Sequence, residues 1–427
     1  MQQHSPLVLD PHGTGWQAEY RTLRAAGSAT RVDVLGVTAW AVADPALLKH
    51  LLTSPDVSKD GRAHWPRYEQ TAATWPLALW IAVKNMFTAY GGDHRRLRRM
   101  VAPAFSHRRI AELAPIVARM VTALIDDLAA GSDADGTDSC GDGRIDLRER
   151  LAYPLPITVL SHLLGVPDAE TLHFRKVVDG IFDTTLTQEQ AAANNERLFA
   201  LAAGLVTAKR GAPGDDMTSL LISTRDEETD SAFTDLELRD TLILMISAGY
   251  ETTVNVIDEA IVSMLTHPGE LDRVRSGEAG WADVVEETLR LTPALRILPL
   301  RFAVRDIPLP DGRTIGQGEA ILPAYGAANR HPDWHGADAD AFDVTRPHKD
   351  HMAFGHGVHF CLGAPLARME VAELLRQLFT RYPGLRLAVP PDRLRPLGSM
   401  ISNGHRELPV YLGDPGDPGD PRDLVGG

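Results

Sequence analysis

The stretch AFGHGVHFCLG, residues 353–363, holds one of only two cysteines in a chain of 427 residues. It is dense in glycine, which lets a backbone turn sharply and lets another group approach it closely. Gly355 and Gly357 precede the cysteine, and Gly363 follows it. Cys361 stands just before a predicted helix, and the N–H groups and dipole of a helix N-terminus favour a thiolate. We therefore expect Cys361 to present a thiolate to an open, flat space.

Several functions are open to such a cysteine. A thiolate that faces a flat space is the geometry of a haem axial ligand. His351, His356 and His359 could instead join Cys361 in a zinc site, although these ligands would crowd one short loop and no second ligand pair lies nearby. A cysteine–histidine nucleophile has no local sequence pattern to support it, and a core cysteine would not need so many glycines. The haem ligand is the leading interpretation, and the other three stay open at this point.

Composition and charge narrow the class of protein. The formal net charge of −14 argues against wholesale nucleic-acid binding. Two cysteines give no disulfide framework and fit a reducing cytoplasm, and Cys140, in a polar acidic stretch, is expected to be an exposed bystander. The N-terminus has no signal-peptide pattern, and the longest uncharged apolar run, residues 71–83, is too short to span a bilayer. We expect a soluble cytoplasmic protein that binds neither nucleic acid nor membranes.

The periodicity of apolar residues predicts a mainly α-helical chain with a minor β portion. Thr234 and Glu237 form a capping box, from which one long helix is predicted to run to His267, where a Pro-Gly pair stops it. At 1.5 Å per residue, that helix would span roughly 50 Å. We predict one domain over residues 1–412 and a disordered Gly/Asp/Pro tail over residues 413–427. Strands are predicted within residues 31–43 and 300–324, and the second stretch contains a Pro-Asp-Gly turn at 310–312. Further helices are predicted at about 94–130, 146–212 and 281–291, and one more begins near Pro365. Residues 131–144 are predicted to form a flexible loop.

The segment FGHGVHFCLG, residues 354–363, matches the pattern F-x-x-G-x-H-x-C-x-G in full. This pattern is the haem-binding signature of the cytochrome P450 family, and the chain resembles that family over about residues 7–412. The resemblance implies the cytochrome P450 fold, with a long central helix over a haem b group whose iron Cys361 binds. It also implies a monooxygenase that hydroxylates an unactivated C–H bond with O2. One departure is His331, where many bacterial relatives have aspartate, and it concerns only local loop contacts.

The sequence ISAGYETT, residues 246–253, lies on the predicted long helix. Gly249 weakens the helical hydrogen-bond ladder, and the Thr252 hydroxyl can bond back to a carbonyl one turn earlier, which bends helices. On an ordinary amphipathic helix, Thr252 would simply be buried and Glu251 solvated. The run A-G-x-E-T-T resembles the oxygen-activating motif of the family. This resemblance implies a groove beside the haem at Ala248, in which Thr252 and Glu251 organise water and protons.

Three charged residues match a buried cluster of the family. Glu287 and Arg290 are three apart and share a helix face. Taken alone, such a pair is most often a surface ion pair worth little. In the family the E-x-x-R pair is buried and a further arginine joins it, and Arg346 in AFDVTR can fill that place. The resemblance implies a structural role for these residues rather than a chemical one.

Haem carries two propionates, which need cationic partners. His94 and Arg98 lie four apart on a predicted basic helix, residues 93–100, and so share a face. Without the resemblance, this run is a solvated basic patch. The family pattern H-x-x-x-R implies that both side chains contact propionates, and Arg301 and His359 fit the remaining contacts.

Further arginines predict a positive surface despite the acidic total. Arg95, Arg96 and Arg99 lie on other faces of the basic helix, and Arg108 and Arg109 follow it. The bacterial members that the chain resembles receive electrons from a small acidic ferredoxin, and a basic face would steer such a partner. No flavin or iron–sulfur domain is visible in the sequence. We therefore expect ferredoxin and ferredoxin reductase as external electron donors.

The substrate pocket is predicted to form from four segments, with residues 170–215 as its lid by analogy. These segments are the one before the basic helix, residues 181–184, the long helix, and the stretch after the helix that carries Glu287 and Arg290. Their apolar side chains suit a rigid lipophilic molecule, although each alone could equally be core. The stretches WPLALWIAVKNMFTAYG, LILMISAGYETTVNVIDEA and HFCLGAPLARMEV resemble an actinobacterial subfamily that hydroxylates steroids. A steroid such as testosterone is therefore the leading substrate hypothesis; macrolide or other polyketide tailoring, and ligand binding without oxidation, are the alternatives. The predicted pocket residues are Met86, Phe87, Phe182, Leu244, Ala248, Leu295, Ile297 and Met400.

Overall fold

The computed structural model describes residues 5–130, 143–167, 171, 175, 178 and 181–413. Helices dominate it, and the prediction of a mainly helical chain is confirmed. The loop predicted around Cys140 lies almost wholly outside these ranges, as does the tail after residue 413, and the single domain over residues 1–412 stays a prediction. The α-helices are Trp16–Ala25, Pro45–Thr53, Gly61–His64, Tyr68–Thr74, Leu79–Ala82, Gly91–Val101, His107–Ala130, Pro154–Leu164, Gln188–Gly211, Met217–Ser223, Asp235–Gly249, Glu251–Thr266, Pro268–Ser276, Trp281–Leu291, Tyr325–Asn329, Pro332–His335 and Ala364–Arg381. Single turns of other helix types lie at Ala102–Phe105, Arg148–Ala152, Gly357–His359 and Pro391–Arg393.

The predicted long helix is broken in its middle. Its start is as expected: Thr234 Oγ1 accepts a 3.2 Å hydrogen bond from the Glu237 N–H, and Glu237 Oε2 accepts one of 2.9 Å from the Thr234 N–H. The helix then ends at Gly249, and a second helix begins at Glu251, because Tyr250 between them has ψ of −79°. The prediction of one continuous helix is therefore wrong at this point, where glycine and a back-bonding threonine weaken the ladder. We call Asp235–Gly249 and Glu251–Thr266 together the central helix pair.

The helix that follows the cysteine begins where the sequence predicts. It runs over Ala364–Arg381 with a proline in its first turn, and its apolar face buries Val371, Leu374, Leu375 and Leu378 completely. This face packs against His107–Ala130, Trp281–Leu291 and the second central helix. Full burial of such a side chain contributes about 1.5–3 kcal/mol. The core therefore fixes the start of this helix, and with it the position of Cys361.

The strands form three small sheets. The predicted strands within residues 31–43 are present, and they form a hairpin that turns through Leu35 and Gly36, whose φ angles are 54° and 85°. Two positive φ angles in succession are what a tight hairpin turn of this twist requires. The predicted β-rich stretch and its turn at 310–312 are also present, with Gly312 at φ 83°. The strands are β1 (Leu7–Val8), β2 (Ala29–Val34), β3 (Val37–Val42), β4 (Val57–Ser58), β5 (Ile145–Asp146), β6 (Arg301–Ala303), β7 (Ile307–Pro308), β8 (Thr314–Ile315), β9 (Ala320–Pro323), β10 (Arg386–Leu387) and β11 (Pro409–Tyr411).

The largest sheet brings distant segments together in the order β1-β2-β3-β9-β6-β4. At its end, β4 and β6 are antiparallel, with Val57 opposite Ala303 and Ser58 opposite Phe302. β10, β11 and β5 form a second sheet, and β7 and β8 a third. No helix in the described part of the chain is both long and apolar enough to cross a membrane.

Candidate active site

Two glycines give the cysteine loop, residues 353–363, its sharp path. Gly355 and Gly357 have φ angles of 74° and 72°, a conformation that favours glycine. A Cβ added at Gly357 would also lie 2.7 Å from the carbonyl oxygen of Leu52. The Cys361 N–H donates a 2.9 Å hydrogen bond to the carbonyl of Phe354, which closes the loop. The backbone conformation therefore explains why the sequence has glycine at positions 355 and 357.

The environment of Cys361 is less favourable to a thiolate than the helix terminus alone implies. Burial raises the pKa of the thiol, while backbone N–H groups of Gly363 and Ala364 and the charge of Arg98 lower it. Burial outweighs them, so the free thiol has a raised pKa. The expected helix N-terminal donors are present, but they do not decide the charge, and coordination to a metal ion is what deprotonates such a thiol outright.

A cavity of about 280 Å³ lies between the cysteine loop and the central helix pair. It brings together nearly all of the predicted site, although these residues come from five separate parts of the chain. Its lining is mainly apolar. The predicted cofactor and catalytic residues that line it are Cys361, Thr252, Ala248, His94, Arg98, Arg301, His359, Gly355 and Gly363.

Positively charged and imidazole side chains converge on one side of this cavity. The rings of His94 and His359 lie 4.1 Å apart between centroids. Burial, followed by Arg98 and Arg301, lowers the pKa of His94 to about 4. Arg301 is 3% exposed. Neither His94 Nε2 nor Arg301 Nε, both buried, has a hydrogen-bond partner within the described protein.

These features fit a flat cofactor that carries carboxylates. Orphaned buried donors need an acceptor, and clustered cationic groups need anions. Beside Gly363 the protein leaves open space, since an added Cβ would meet only Cys361 Sγ, at 3.8 Å. Arg98 departs from the expectation in one respect, because its Nη2 donates a 2.7 Å hydrogen bond to the carbonyl of Phe360.

The two residues of the oxygen motif differ in position. Thr252 lines the cavity, and its Oγ1 donates a 2.6 Å hydrogen bond to the carbonyl of Ala248, one turn earlier, as predicted. Glu251 lies outside the lining and is 8% exposed. Burial alone would lower the pKa of Arg148. The charges of Asp258, Tyr153 and Glu251 outweigh the effect of burial, so the pKa of Arg148 is raised. Glu251 is thus a buried acidic side chain near Arg148 rather than a solvated one.

The three residues of the E-x-x-R cluster meet in the core. Arg290 donates two 2.7 Å hydrogen bonds to the carboxylate of Glu287, and Arg346 Nε lies 3.4 Å from Glu287 Oε1. Glu287 and Arg290 are fully buried, and Arg346 is 6% exposed. Arg290 also donates to the carbonyls of Ala339 and Ala341. The cluster therefore binds the segment that leads to the cysteine loop.

Most of the predicted pocket residues line the cavity, and two do not. Ile297 and Met400 are each 4% exposed and pack into the core outside the lining. In the extended segment around 295–298, the Leu295 and Leu298 side chains reach the cavity and Ile297 does not. Met400 is held from its backbone, which donates to Thr184 Oγ1 at 3.0 Å. The pocket residues that line the cavity are Met86, Phe87, Phe182, Leu244, Ala248 and Leu295.

Sequence reasoning missed other lining residues because they belong to no motif. Lys59 lines the cavity from the segment after β4, and Trp80, Asn85 and Leu160 line it from segments without charge patterns. A lysine between Ser58 and Asp60 resembles any surface lysine in sequence. The alignment of β4 with β6 is what places Lys59 beside the cavity, and a single sequence does not display that pairing.

The predicted positive surface is smaller than expected. Arg96 forms an ion pair with Glu237, and Arg99 forms pairs with Asp226 and Glu228. Acidic partners therefore neutralise two of the arginines that were assigned to this surface. Arg95 is exposed, and Arg108 forms a distant ion pair, at 3.8 Å, with Glu112. Near the cysteine loop, the exposed side chains include Val358 and Phe360, at 59% and 41%.

His331, which departs from the family pattern, caps a short helix. His331 Nδ1 accepts a 3.2 Å hydrogen bond from the Asp333 N–H and so caps the short helix Pro332–His335. An aspartate could accept the same bond. The substitution therefore conserves the cap.

Comparison with known proteins agrees with this geometry. The family model described as Cytochrome P450 matches residues 150–277 and 282–398. The chain belongs to the cytochrome P450 family. This P450 is 61% identical to the solved CYP154A1 from Streptomyces coelicolor A3(2), with a TM-score of 0.89 over 95% of this chain and 100% of that chain. The predicted family and fold are thereby confirmed.

Two other relatives bear on its activity. The 2-hydroxy-5-methyl-1-naphthoate 7-hydroxylase of Streptomyces carzinostaticus is 37% identical over 95% of this chain and 97% of the relative. A testosterone-bound structure of CYP154C4 from Streptomyces sp. ATCC 11861 is 35% identical, with a TM-score of 0.90 over 97% of this chain and 100% of that one. The P450 is a haem-thiolate monooxygenase that takes electrons from redox partners and binds lipophilic substrates. Membership of this family favours the haem-ligand interpretation of Cys361 over the zinc, cysteine-nucleophile and core-cysteine alternatives.

Proposed function

We propose that this P450 hydroxylates an unactivated C–H bond of a lipophilic polycyclic molecule, with a steroid such as testosterone as substrate. The cavity lining carries the proposal. The ring of Trp80 lies 5.3 Å from that of Phe182 and 6.2 Å from that of Phe87, between centroids, and is edge-on to both. Aromatic and aliphatic walls with few polar groups favour a rigid apolar ligand. The similarity to the testosterone-bound relative supports the same substrate class.

Cys361 is proposed as the iron ligand, because it is the cysteine of the matched signature and lines the cavity. Bound haem with a thiolate ligand supplies the activation of O2 and the transfer of one oxygen atom. The protein's contribution is to orient the cofactor through its carboxylates and to exclude water from the apolar side. The residues proposed to bind the carboxylates are His94, Arg98, Arg301 and His359, and those proposed to lie close to the ring are Gly355, Gly363 and Ala248.

Thr252 and Glu251 are proposed to deliver protons. The Thr252 hydroxyl uses its proton in the bond to Ala248, so its oxygen lone pairs remain able to accept a hydrogen bond from a water molecule in the cavity. A water held in this way can donate its other proton toward the reacting oxygen. Glu251, the buried acid next to Thr252 in the chain, is the proposed group that replaces that proton. Glu287, Arg290 and Arg346 are proposed to be structural.

Ferredoxin and its reductase are the proposed electron donors. Val358 and Phe360 expose apolar surface directly beside Cys361, and Arg95 is exposed on the helix whose Arg98 binds the Phe360 carbonyl. An apolar centre with basic side chains nearby suits a small acidic protein. Turnover with a ferredoxin should therefore fall steeply with ionic strength, and more so than turnover driven by a peroxide.

A second candidate substrate class is a polyketide-type aromatic acid or macrolide. The observation that favours it is the 37% identity to the naphthoate hydroxylase over 95% of this chain. The fused aromatic ring of such an acid would also fit the aromatic wall. It differs from a steroid in its carboxylate, which would need a cationic group near the cavity.

An optical titration of the purified ferric protein separates the two classes. Testosterone should shift the haem spectrum from low to high spin, and ferredoxin-driven turnover should then give a hydroxylated steroid. No spectral shift with testosterone, together with a shift and a product with 2-hydroxy-5-methyl-1-naphthoate or a macrolide, would replace the steroid by the second class. A shift without product or NADPH consumption would contradict hydroxylation of either ligand.

Leu295 and Ile297 offer a matched control for this titration. Both are aliphatic, and they lie two residues apart, but only Leu295 lines the cavity. Leu295→Ala should weaken testosterone binding by about tenfold, whereas Ile297→Ala should lower stability and leave the dissociation constant nearly unchanged. Equal effects of the two substitutions on binding would show that testosterone does not occupy this cavity.

A further inference from the structure

Lys59 and Arg301 are neighbours across the end of the largest sheet. The antiparallel register of β4 and β6 places Val57 opposite Ala303 and Ser58 opposite Phe302. One step further along this register, Lys59 comes opposite Arg301. Like charges directly opposite each other destabilise a strand pair. A positive pair at this place therefore calls for a compensating anion.

Both side chains are buried, and the described part of the chain supplies no such anion. Lys59 is 2% exposed and Arg301 is 3% exposed. Lys59 Nζ donates a 3.2 Å hydrogen bond to the carbonyl of Pro299 and lies 3.7 Å from the centre of the Phe87 ring. Burial, and then Arg301, lower the pKa of Lys59 well below its ordinary value, and no carboxylate of the described chain raises it. A lysine buried in this way keeps its charge only when an anion lies beside it, because an unpaired buried cation costs several kcal/mol.

The cavity that both side chains line has more basic than acidic side chains. Among the described lining residues, Lys59, Arg98 and Arg301 are basic, and Glu370 is the one acidic side chain. Burial raises the pKa of Glu370 well above its ordinary value, and its Oε2 has no hydrogen-bond partner, so the charged form of this carboxyl is disfavoured. A negatively charged ligand is needed to balance the positive charge of these basic side chains.

We propose that Lys59 is a further ligand of a haem carboxylate, sharing that carboxylate with Arg301. Its position favours the haem over a substrate. Lys59, Arg301 and His359 all line the cavity onto which Cys361 opens. His359 stands two residues before Cys361, and the haem carboxylates are the anions that must lie near this group. Lys59 thus anchors the cofactor, and the family motifs do not include it.

Haem retention tests the proposal without reference to any substrate. The rate of haem transfer from the ferric holoenzyme to excess apomyoglobin should rise by about tenfold in Lys59→Met, because a charge-assisted hydrogen bond is lost. Lys59→Arg, which keeps the charge, should restore slow transfer at least in part. Lys84→Met, at an exposed lysine, should match the wild type.

The reduction potential gives a second readout. Removal of a positive charge beside the haem disfavours the more electron-rich ferrous state, so Lys59→Met should lower the midpoint potential and Lys84→Met should not. Should Lys59→Met prove unstable, Lys59→Gln carries the same two predictions. Haem transfer within twofold of the wild type with an unchanged potential would overturn the proposal. So would normal haem transfer combined with weakened binding of 2-hydroxy-5-methyl-1-naphthoate, which would assign Lys59 to a substrate carboxylate instead.

Discussion

Arg98 Nη2 donates a 2.7 Å hydrogen bond to the carbonyl of Phe360, the residue directly before Cys361. The basic helix Gly91–Val101 is thereby tied to the cysteine loop. The same side chain lines the cavity, so one guanidinium, with its five donors, can serve both the loop and a haem carboxylate. Loss of Arg98 should therefore disturb the cofactor and the loop together.

We expect Arg98→Leu to lower the haem content of the purified protein and to destabilise the holoenzyme by about 1.5–3 kcal/mol, the range for hydrogen bonds to charged groups. The ratio of haem to protein and a thermal unfolding scan measure both effects. Arg95→Leu is the matched control, since Arg95 is exposed on the same helix. Equal haem content in the two variants would contradict the role proposed for Arg98.

Thr252→Ala should uncouple oxygen consumption from product formation. The substitution removes the hydroxyl oxygen that is proposed to hold a proton-donating water. Hydrogen peroxide release per NADPH consumed should rise, and product per NADPH should fall several-fold. Thr252→Ser should keep most of the coupling.

Thr266→Ala provides the control for a purely structural effect. Thr266 makes the same type of back-bond on the same helix, to the Val262 carbonyl at 2.7 Å, but it does not line the cavity. Coupling should be normal in this variant. Unchanged coupling in Thr252→Ala would rule out the proposed proton role.

Glu287→Gln should be among the most destabilising single substitutions in the chain. It leaves the buried guanidiniums of Arg290 and Arg346 without their shared negative charge, and breaking a buried pair in this way costs about 3–5 kcal/mol. Glu278→Gln is the control, because its pair with Arg273 is largely exposed and should change stability by less than about 1 kcal/mol. Denaturant unfolding of both variants measures the difference, and similar values would contradict a structural role for the cluster.

The parts of the site that the sequence predicts are those encoded by neighbours along the chain. The cysteine loop, the back-bond of Thr252 and the cap of Thr234 depend on residues within one or two turns of each other. The convergence of His94, Arg301 and His359 on one cavity was expected only through the family resemblance.

The parts that were missed depend on tertiary context. Ile297 turns into the core while Leu295, two residues away, lines the cavity. Arg96 and Arg99 were assigned to a free surface because their acidic partners are more than a hundred residues away. No local sequence pattern marks Lys59 as a cavity residue, because the pairing of the neighbouring strands is what places it there.

A buried polar cluster predicts a specific loss of stability at alkaline pH. His405 Nδ1 lies 3.2 Å from Asp258 Oδ2, which also accepts a 3.0 Å hydrogen bond from Arg148. Burial alone would lower the pKa of His405, but Asp258 and Glu259 outweigh it and raise the pKa from 6.5 to about 9. The folded protein therefore holds this proton more tightly than the unfolded chain does.

A raised pKa in the folded state means that the stabilisation is fully present below pH 6.5 and is lost as pH rises through about 9. For His405 the loss should amount to about 3 kcal/mol, since one pKa unit corresponds to about 1.4 kcal/mol. The free energy of unfolding in urea should therefore fall between pH 6.5 and pH 9 in the wild type and in His12→Asn, a change at an exposed histidine. His405→Asn should be less stable at pH 6.5 and should show a flatter profile, and an equally steep profile in His405→Asn would mean that another group causes the alkaline loss.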